Sequence, residues 1–276
     1  MRSCSLPSGA TMPILGLGTW RMGENPRRRA QELDALRFGI ELGYPMVDTA
    51  EMYGDGQAEE IVGEAMTGHR EQLYLVSKVY PHNATRAGTI AACERSLERL
   101  KTDRLDLYLL HWRGGARLDE TFEAFHRLRD AGKIRDFGVS NFDRDDLADA
   151  ARFDKGLNGS NQILYCLGRR GPEFDVLPWM AERGIPAMAY SPLDQGSLLT
   201  KPALKKIAAG LEVTPAQLAI AWLLARPNVV TIPKSASRER LEENLAALDL
   251  QLSREALTEL DRAFPPPKGK RPLEML

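Results

Sequence analysis

Eight short apolar runs alternate with amphipathic helical patterns along nearly the whole chain. The runs are Leu15–Gly18, Met46–Asp48, Leu73–Val79, Leu105–His111, Ile134–Ser140, Gln162–Leu164, Pro186–Tyr190 and Val229–Ile232. Between them, apolar residues recur at helical spacing: Ile90, Cys93, Leu97 and Leu100, then Phe122, Phe125 and Leu128, then Leu218 and Trp222, then Leu241, Leu245 and Leu248. Several runs are apolar throughout rather than alternating, as parallel strands covered on both faces are. Eight strand–helix units predict an α/β fold, a closed (β/α)8 TIM barrel. A doubly wound open sheet would carry G-x-G-x-x-G after its first strand. Here that strand reads LGLGTWRMG, and its glycines do not fit the fingerprint.

Barrels of this kind fill about 250 residues as one domain, so a single domain is expected over 1–276. No linker, low-complexity segment or further repeat interrupts it. Leu6 and Met12–Ile14 flank the turn signal Pro7-Ser8-Gly9, which predicts an N-terminal β-hairpin plugging the barrel bottom. Beyond the eighth unit an extra C-terminal helix is expected over Ser253–Ala263, with Ser253 as N-cap, then a Pro-rich tail from Pro265.

The formal net charge is -1, which argues against nucleic acid or an anionic membrane as partner. No stretch approaches the roughly 20 apolar residues that span a bilayer. The opening segment MRSCSLPSGATMPILG lacks a signal-peptide apolar region, and a cytoplasmic monomer is the expectation. Cys4, Cys93 and Cys166 are odd in number and form no C-x-x-C, which suits a reducing compartment. His69, His82, His111 and His126 show no metal-ligand spacing, so no metal is expected.

Four residues near the ends of these runs carry chemistry: Asp48, Tyr53, Lys78 and His111, in MVDTAEMYGDG, LYLVSKVY and LDLYLLHW. Taken singly, each has a plain reading. Asp48 could cap a loop, Tyr53 could pack its ring, and His111 could be a satisfied core histidine. Lys78, closing an apolar run, needs a counter-charge. Taken together they converge where a barrel places its active site. A nearby ammonium lowers the pKa of a phenol, and a carboxylate keeps that ammonium charged. An imidazole can orient a substrate oxygen. The set suits protonation of a carbonyl oxygen while a hydride reaches the carbon.

These residues resemble the aldo-keto reductase family over essentially the whole chain. GLGTW at 16–20, DTAEMYGDG at 48–56, SKVYP at 77–81, DLYLLHW at 106–112, GKIRDFGVSNF at 132–142, NQILY at 161–165, AYSPL at 189–193 and IPKSASRERLEEN at 232–244 look like its successive signatures. Within the family, LGRRGPEFDVLPW and PPPKGK are most similar to short-loop bacterial methylglyoxal reductases. The resemblance implies Tyr53 as general acid, tuned by Lys78 and Asp48, with His111 orienting the carbonyl. It implies NADPH as cofactor, bound without a Rossmann motif. Ser140, Asn141 and Gln162 would then hold the nicotinamide carboxamide, and Tyr190 would stack on the ring. Ser191 and Leu193 would follow the pyrophosphate, Lys234, Ser235 and Arg240 the 2'-phosphate, and Glu243 and Asn244 the adenine. Lys234 and Ser235 also precede a helix start, where an anion is favoured. Without the resemblance, the 234–240 stretch reads as a capped, charged helix.

The segment LDQGSLLT is shorter than the family's usual loop over the pyrophosphate, so a loose lid is expected there. Trp20, Tyr80 and Trp112 are candidates for the substrate wall, and His82 has no derivable role. A short loop WRGGAR and a short tail predict a shallow, open pocket for a small carbonyl compound. The expected activity is NADPH-dependent reduction of aldehydes and ketones, above all small 2-oxoaldehydes such as methylglyoxal. The rivals are a sugar or keto-acid reductase of the same family, or a cofactor-sensing regulatory subunit.

Overall fold

The computed structural model describes residues 2–276. The chain opens with a hairpin of β1 (Ser3–Ser5) and β2 (Thr11–Pro13), paired antiparallel with Cys4 opposite Met12. The first four units follow as β3 (Leu17–Gly18) and α1 (Arg29–Leu42), β4 (Met46–Asp48) and α2 (Gln57–Ala65), β5 (Tyr74–Val79) and α3 (Arg86–Leu100), β6 (Leu105–Leu110) and α4 (Leu118–Asp130). Then come β7 (Ile134–Ser140) and α5 (Arg144–Ala150), β8 (Asn158–Leu164) and α6 (Val176–Ala181). The seventh strand, β9 (Ala187–Tyr190), is followed by two helices, α7 (Pro202–Gly210) and α8 (Pro215–Leu224). Finally come β10 (Val229–Thr231), α9 (Arg238–Ala246) and α10 (Arg254–Ala263).

Strands β3 to β10 pair in parallel in chain order. The sheet closes on itself at Leu15 and Thr231, where Gly16 N–H donates to Thr231 O at 3.0 Å and Thr231 N–H to Ile14 O at 2.9 Å. Gly18 is needed at this seam, because a Cβ there would lie 2.8 Å from the carbonyl oxygen of Ile232. The expected (β/α)8 barrel is therefore the observed fold. The hairpin sits at the barrel bottom as expected, with Arg2 donating to the carbonyls of Leu224 at the end of α8, at 3.5 Å, and of Leu248 just after α9, at 3.2 Å.

One boundary differs from the pattern by more than two residues. β8 begins at Asn158, four residues before the apolar run. Its early residues are polar but buried, and two of them find partners inside: Ser160 Oγ donates to Pro186 O at 3.0 Å, and Asn161 Nδ2 to Phe142 O at 2.8 Å, while Asn158 Oδ1 is buried without one. The C-terminal helix starts where its cap predicts, with Ser253 Oγ accepting from Ala256 N–H at 3.2 Å. Eight of the ten residues of α8 are buried. Among the described residues no single helix is long and apolar enough to cross a membrane.

The tail after α10 does not end the fold at the bottom. Arg170 is buried and grips Asp261 at 2.8 Å and Glu173 through two bonds of 2.8 Å. Arg169 then pairs with Glu274 at 2.6 Å, which carries the tail back over the strand ends. Twelve extended residues reach up to about 40 Å, enough for that return.

Candidate active site

Asp48 ends β4, Lys78 is the penultimate residue of β5, and His111 follows β6 with its backbone N–H donating to Val79 O at 3.1 Å. Tyr53 stands on the turn after β4, where Gly54, Asp55 and Gly56 take left-handed φ values of 55°, 51° and 90°. The ends of parallel strands thus bring all four side chains to one point. Lys78 Nζ donates to Asp48 Oδ1 at 2.8 Å, to Thr49 O at 2.8 Å and to Tyr53 Oη at 3.3 Å. An ammonium has three donors, and all three are used. That is how a lysine with no solvent exposure is accommodated. Because Lys78 donates to Tyr53 Oη, the phenolic hydrogen must point away from Nζ. The Tyr53 and His111 rings meet edge to face with centroids 5.6 Å apart.

Burial dominates the electrostatics. It pushes the Asp48 carboxyl up, against the opposing pull of Lys78 and Gln162. It pushes the Lys78 ammonium down, against Asp48 and Glu59. Burial, and then the charge of Asp48, hold the Tyr53 phenol well above its ordinary value. This corrects the expectation of a phenol brought down by its lysine: at rest the proton is held, because the phenol is buried and the charge of Asp48 opposes its loss. Burial, and then Lys78, hold His111 well below its ordinary value, so the imidazole is neutral near pH 7. Its Nδ1 is buried without a protein partner.

Asp48, Tyr53 and His111 form part of the wall of a cavity of about 220 Å3, with Lys78 behind them. Ser140, Asn141, Gln162, Tyr190 and Ser191 line the same cavity. They are already linked: Ser140 Oγ donates to Gln162 O at 2.9 Å, Asn141 Nδ2 to His111 O at 3.1 Å, and Tyr190 Oη to Asn141 Oδ1 at 2.9 Å. Gln162 Nε2 donates to Asp48 Oδ2 at 2.8 Å. A second cavity of about 520 Å3 is lined by Leu193, Ser235, Arg240, Glu243 and Asn244. Trp20, Ser191, Pro192 and Lys234 line both, so the two form one cleft. At its far end Ser237 caps α9, its Oγ accepting from Arg240 N–H at 3.4 Å. Among the described residues neither Lys234 nor Arg240 forms an ion pair with a carboxylate. Burial lowers the Lys234 ammonium somewhat.

Three local expectations change. Trp20 and Trp112 line the cavity, but Tyr80 does not: it stands behind Trp112, edge-on at 5.1 Å, with its N–H donating to Glu51 Oε1 at 2.7 Å. His82 packs on the far side of Tyr80 at 4.2 Å. The short segment after Pro192 is pinned rather than loose. Asp194 accepts from Ser197 Oγ at 2.5 Å and pairs with Arg169 at 3.3 Å. The pocket is not left open by the tail, since Met275 and Leu276 form part of its wall.

Met52, Met275 and Leu276 in the first cavity and Arg21 in the second are site residues that sequence reasoning passed over. Arg21 follows GLGTW directly, takes a left-handed φ of 64°, and lays its guanidinium 4.4 Å over Trp20. Its place at a strand end was the available signal. Met275 had none, because nothing local tells where a tail folds back. Among the described residues no group of His, Cys, Asp or Glu side chains could hold a metal ion.

The profile of the "Aldo/keto reductase family" matches residues 14–264. Methylglyoxal reductase YeaE of Escherichia coli is 48% identical over 272 residues, covering 96% of each chain. Glyoxal reductase of Bacillus subtilis is 35% identical, covering 93% of this chain and 90% of the relative. An aldo/keto reductase of Klebsiella pneumoniae, crystallised with NADP and acetate, superposes with a TM-score of 0.95 at 48% identity, covering 99% of each chain. The chain belongs to the aldo/keto reductase family and is an oxidoreductase.

Proposed function

We propose that this protein reduces small 2-oxoaldehydes such as methylglyoxal, and simple activated aldehydes, to alcohols with NADPH, using Tyr53 as general acid. The observation that carries the reading is the Asp48–Lys78–Tyr53 chain of hydrogen bonds beside a neutral His111, on the wall of an otherwise largely apolar cavity. The cleft also fits the cofactor: it is long, it ends at the start of α9, and Lys234 and Arg240 have no carboxylate of their own there. When bound, NADPH supplies the hydride.

The chain's own residues do the rest. Ser140, Asn141 and Gln162 orient the carboxamide end, and Lys234, Ser235 and Arg240 hold the 2'-phosphate, Arg240 with a fork of donors. His111, being neutral, keeps an N–H to donate to the carbonyl oxygen. Tyr53 holds its proton at rest and gives it to that oxygen as negative charge develops there. Lys78 then stabilises the phenolate that remains, and Asp48 keeps Lys78 charged and in place.

The wall facing the substrate is Trp20, Met52, Trp112, Met275 and Leu276. Such a wall accepts a small dicarbonyl or an aromatic aldehyde. It offers little to a row of hydroxyls, and a sugar would leave them unpaired. The test is kcat/KM with NADPH for methylglyoxal, a nitrobenzaldehyde and glucose. Methylglyoxal and the nitrobenzaldehyde are expected to lead. A glucose value at or above them would overturn the small-aldehyde reading in favour of a sugar reductase. Absence of turnover with all three would favour cofactor sensing.

A further inference from the structure

Behind the four residues of the site lies a second buried polar cluster that touches neither cavity. Glu59, on α2, has no solvent exposure. It accepts from Ser77 Oγ at 2.5 Å and from Arg99 Nε at 2.7 Å, and pairs with Arg99 Nη2 at 2.6 Å. Ser77 is the residue before Lys78 on β5, so this contact ties the carboxylate to the strand that carries the lysine. Arg99, on α3, also donates to Ser96 Oγ at 3.3 Å. Its side chain lies along the turn that carries Tyr53: a Cβ added to Gly56 would be 2.7 Å from Arg99 Cδ and Nε. That turn holds successive left-handed residues, including the non-glycine Asp55, a conformation that persists only where its surroundings impose it. One cluster thus braces both sides of the 3.3 Å contact between Lys78 and Tyr53.

We propose that Arg99, Glu59 and Ser77 form a positioning unit that sets the Lys78–Tyr53 contact. The inference rests on the reading of Tyr53 as the acid. Charged and titratable groups face the cluster from each neighbouring element. Glu59 pairs with Arg99 on α3, and its charge acts on Cys93 on α3, Lys78 on β5 and Tyr108 on β6. Tyr53 contacts Lys78 on β5 and His111 after β6, and charge acts between it and Asp48 on β4 and Tyr190 on β9. Of the carboxylates, Asp48 and Glu59 both favour the charged form of Lys78. Removing the charge of Glu59 makes a proton easier to lose from the Lys78–Tyr53 pair. The alkaline fall of carbonyl reduction, which needs Tyr53 protonated, then moves to lower pH.

The test compares Glu59→Gln and Ser77→Ala with the unaltered protein by the pH profile of kcat and by NADPH affinity from fluorescence titration. In both variants kcat is expected to fall between about tenfold and a hundredfold, the range for a misplaced reacting group, with NADPH affinity unchanged. In Glu59→Gln the alkaline limb is also expected to move to lower pH. A kcat near the parent value in Ser77→Ala, an unmoved limb in a folded Glu59→Gln, or a loss of NADPH affinity matching that of kcat would each overturn the proposal. Should Glu59→Gln fail to fold, Ser77→Ala decides alone. Tyr53→Phe, measured in parallel, separates the two readings. Retained turnover there overturns both. Its loss, with the other two variants at parent kcat, overturns only the positioning unit.

Discussion

At one end of the cleft Lys78 is wholly buried and gives every N–H to a protein oxygen; at the other, Arg240 is exposed and without a carboxylate partner. The first end is built from strand termini that the barrel holds in fixed register, with Leu109 beside Lys78 and Val76 beside Asp48. The second is built from a loop and the start of α9. The difference lies in where the energy of organisation is spent. In the dry end the protein has satisfied its own charges, so a substitution alters the chemistry of groups already assembled. In the wet end the cations wait for an anion, so a substitution alters only what is bound.

Three measurements would break or sharpen that contrast. The largest effect is expected at the dry end. Tyr53→Phe keeps the ring and removes the proton donor, so kcat for carbonyl reduction should fall at least roughly a hundredfold. NADPH affinity, read by fluorescence titration, should barely change. Near-native turnover would dissolve the assignment of Tyr53, and a parallel loss of cofactor binding would erase the division between the ends.

At the wet end Arg240→Ala should weaken NADPH by about 1.5–3 kcal/mol, the range for hydrogen bonds to a charged group. NADH, which lacks the 2'-phosphate, should hardly respond. Equal losses for both cofactors in one titration series would sink the phosphate assignment.

The smallest effect is expected from pH. His111 is held well below its ordinary value by burial and Lys78, so it stays neutral as the pH falls through about 6.5. Tyr53 is held above its ordinary value by burial and Asp48, so its proton is kept as the pH rises toward about 10. Loss of activity on the acid side requires protonation of His111, and on the alkaline side deprotonation of Tyr53. Carbonyl-reduction kcat at saturating substrate should therefore stay flat between these limits. A titration centred near pH 6.5 would show that His111 is solvated during turnover and that the dry end is not dry.

The barrel was legible because its signals are local and repeated. Burial on both faces makes a parallel strand apolar throughout, and this marked Met46–Asp48 and Ile134–Ser140 at the bounds the structure has. The start of β8 was not legible, because Asn158, Ser160 and Asn161 are polar, and only distant partners at Pro186 and Phe142 make the burial of Ser160 and Asn161 tolerable. Tyr80 and Trp112 looked alike as aromatic residues after strands, yet one lines the cavity and the other stands behind it.

Composition, periodicity and the order of motifs determined by themselves the α/β barrel, its hairpin and final helix, and which side chains lie at strand ends. Those are properties of short stretches, where hydrophobic period and capping act over a few residues. Tertiary structure alone decided that Lys78 uses all three donors, that Tyr53 holds its proton above the ordinary range, and that Met275 and Leu276 return to wall the cavity. It alone placed Arg99 against the turn of Tyr53. Hydrogen-bond completion and desolvation depend on groups brought together from far along the chain, and no local pattern records which groups those are.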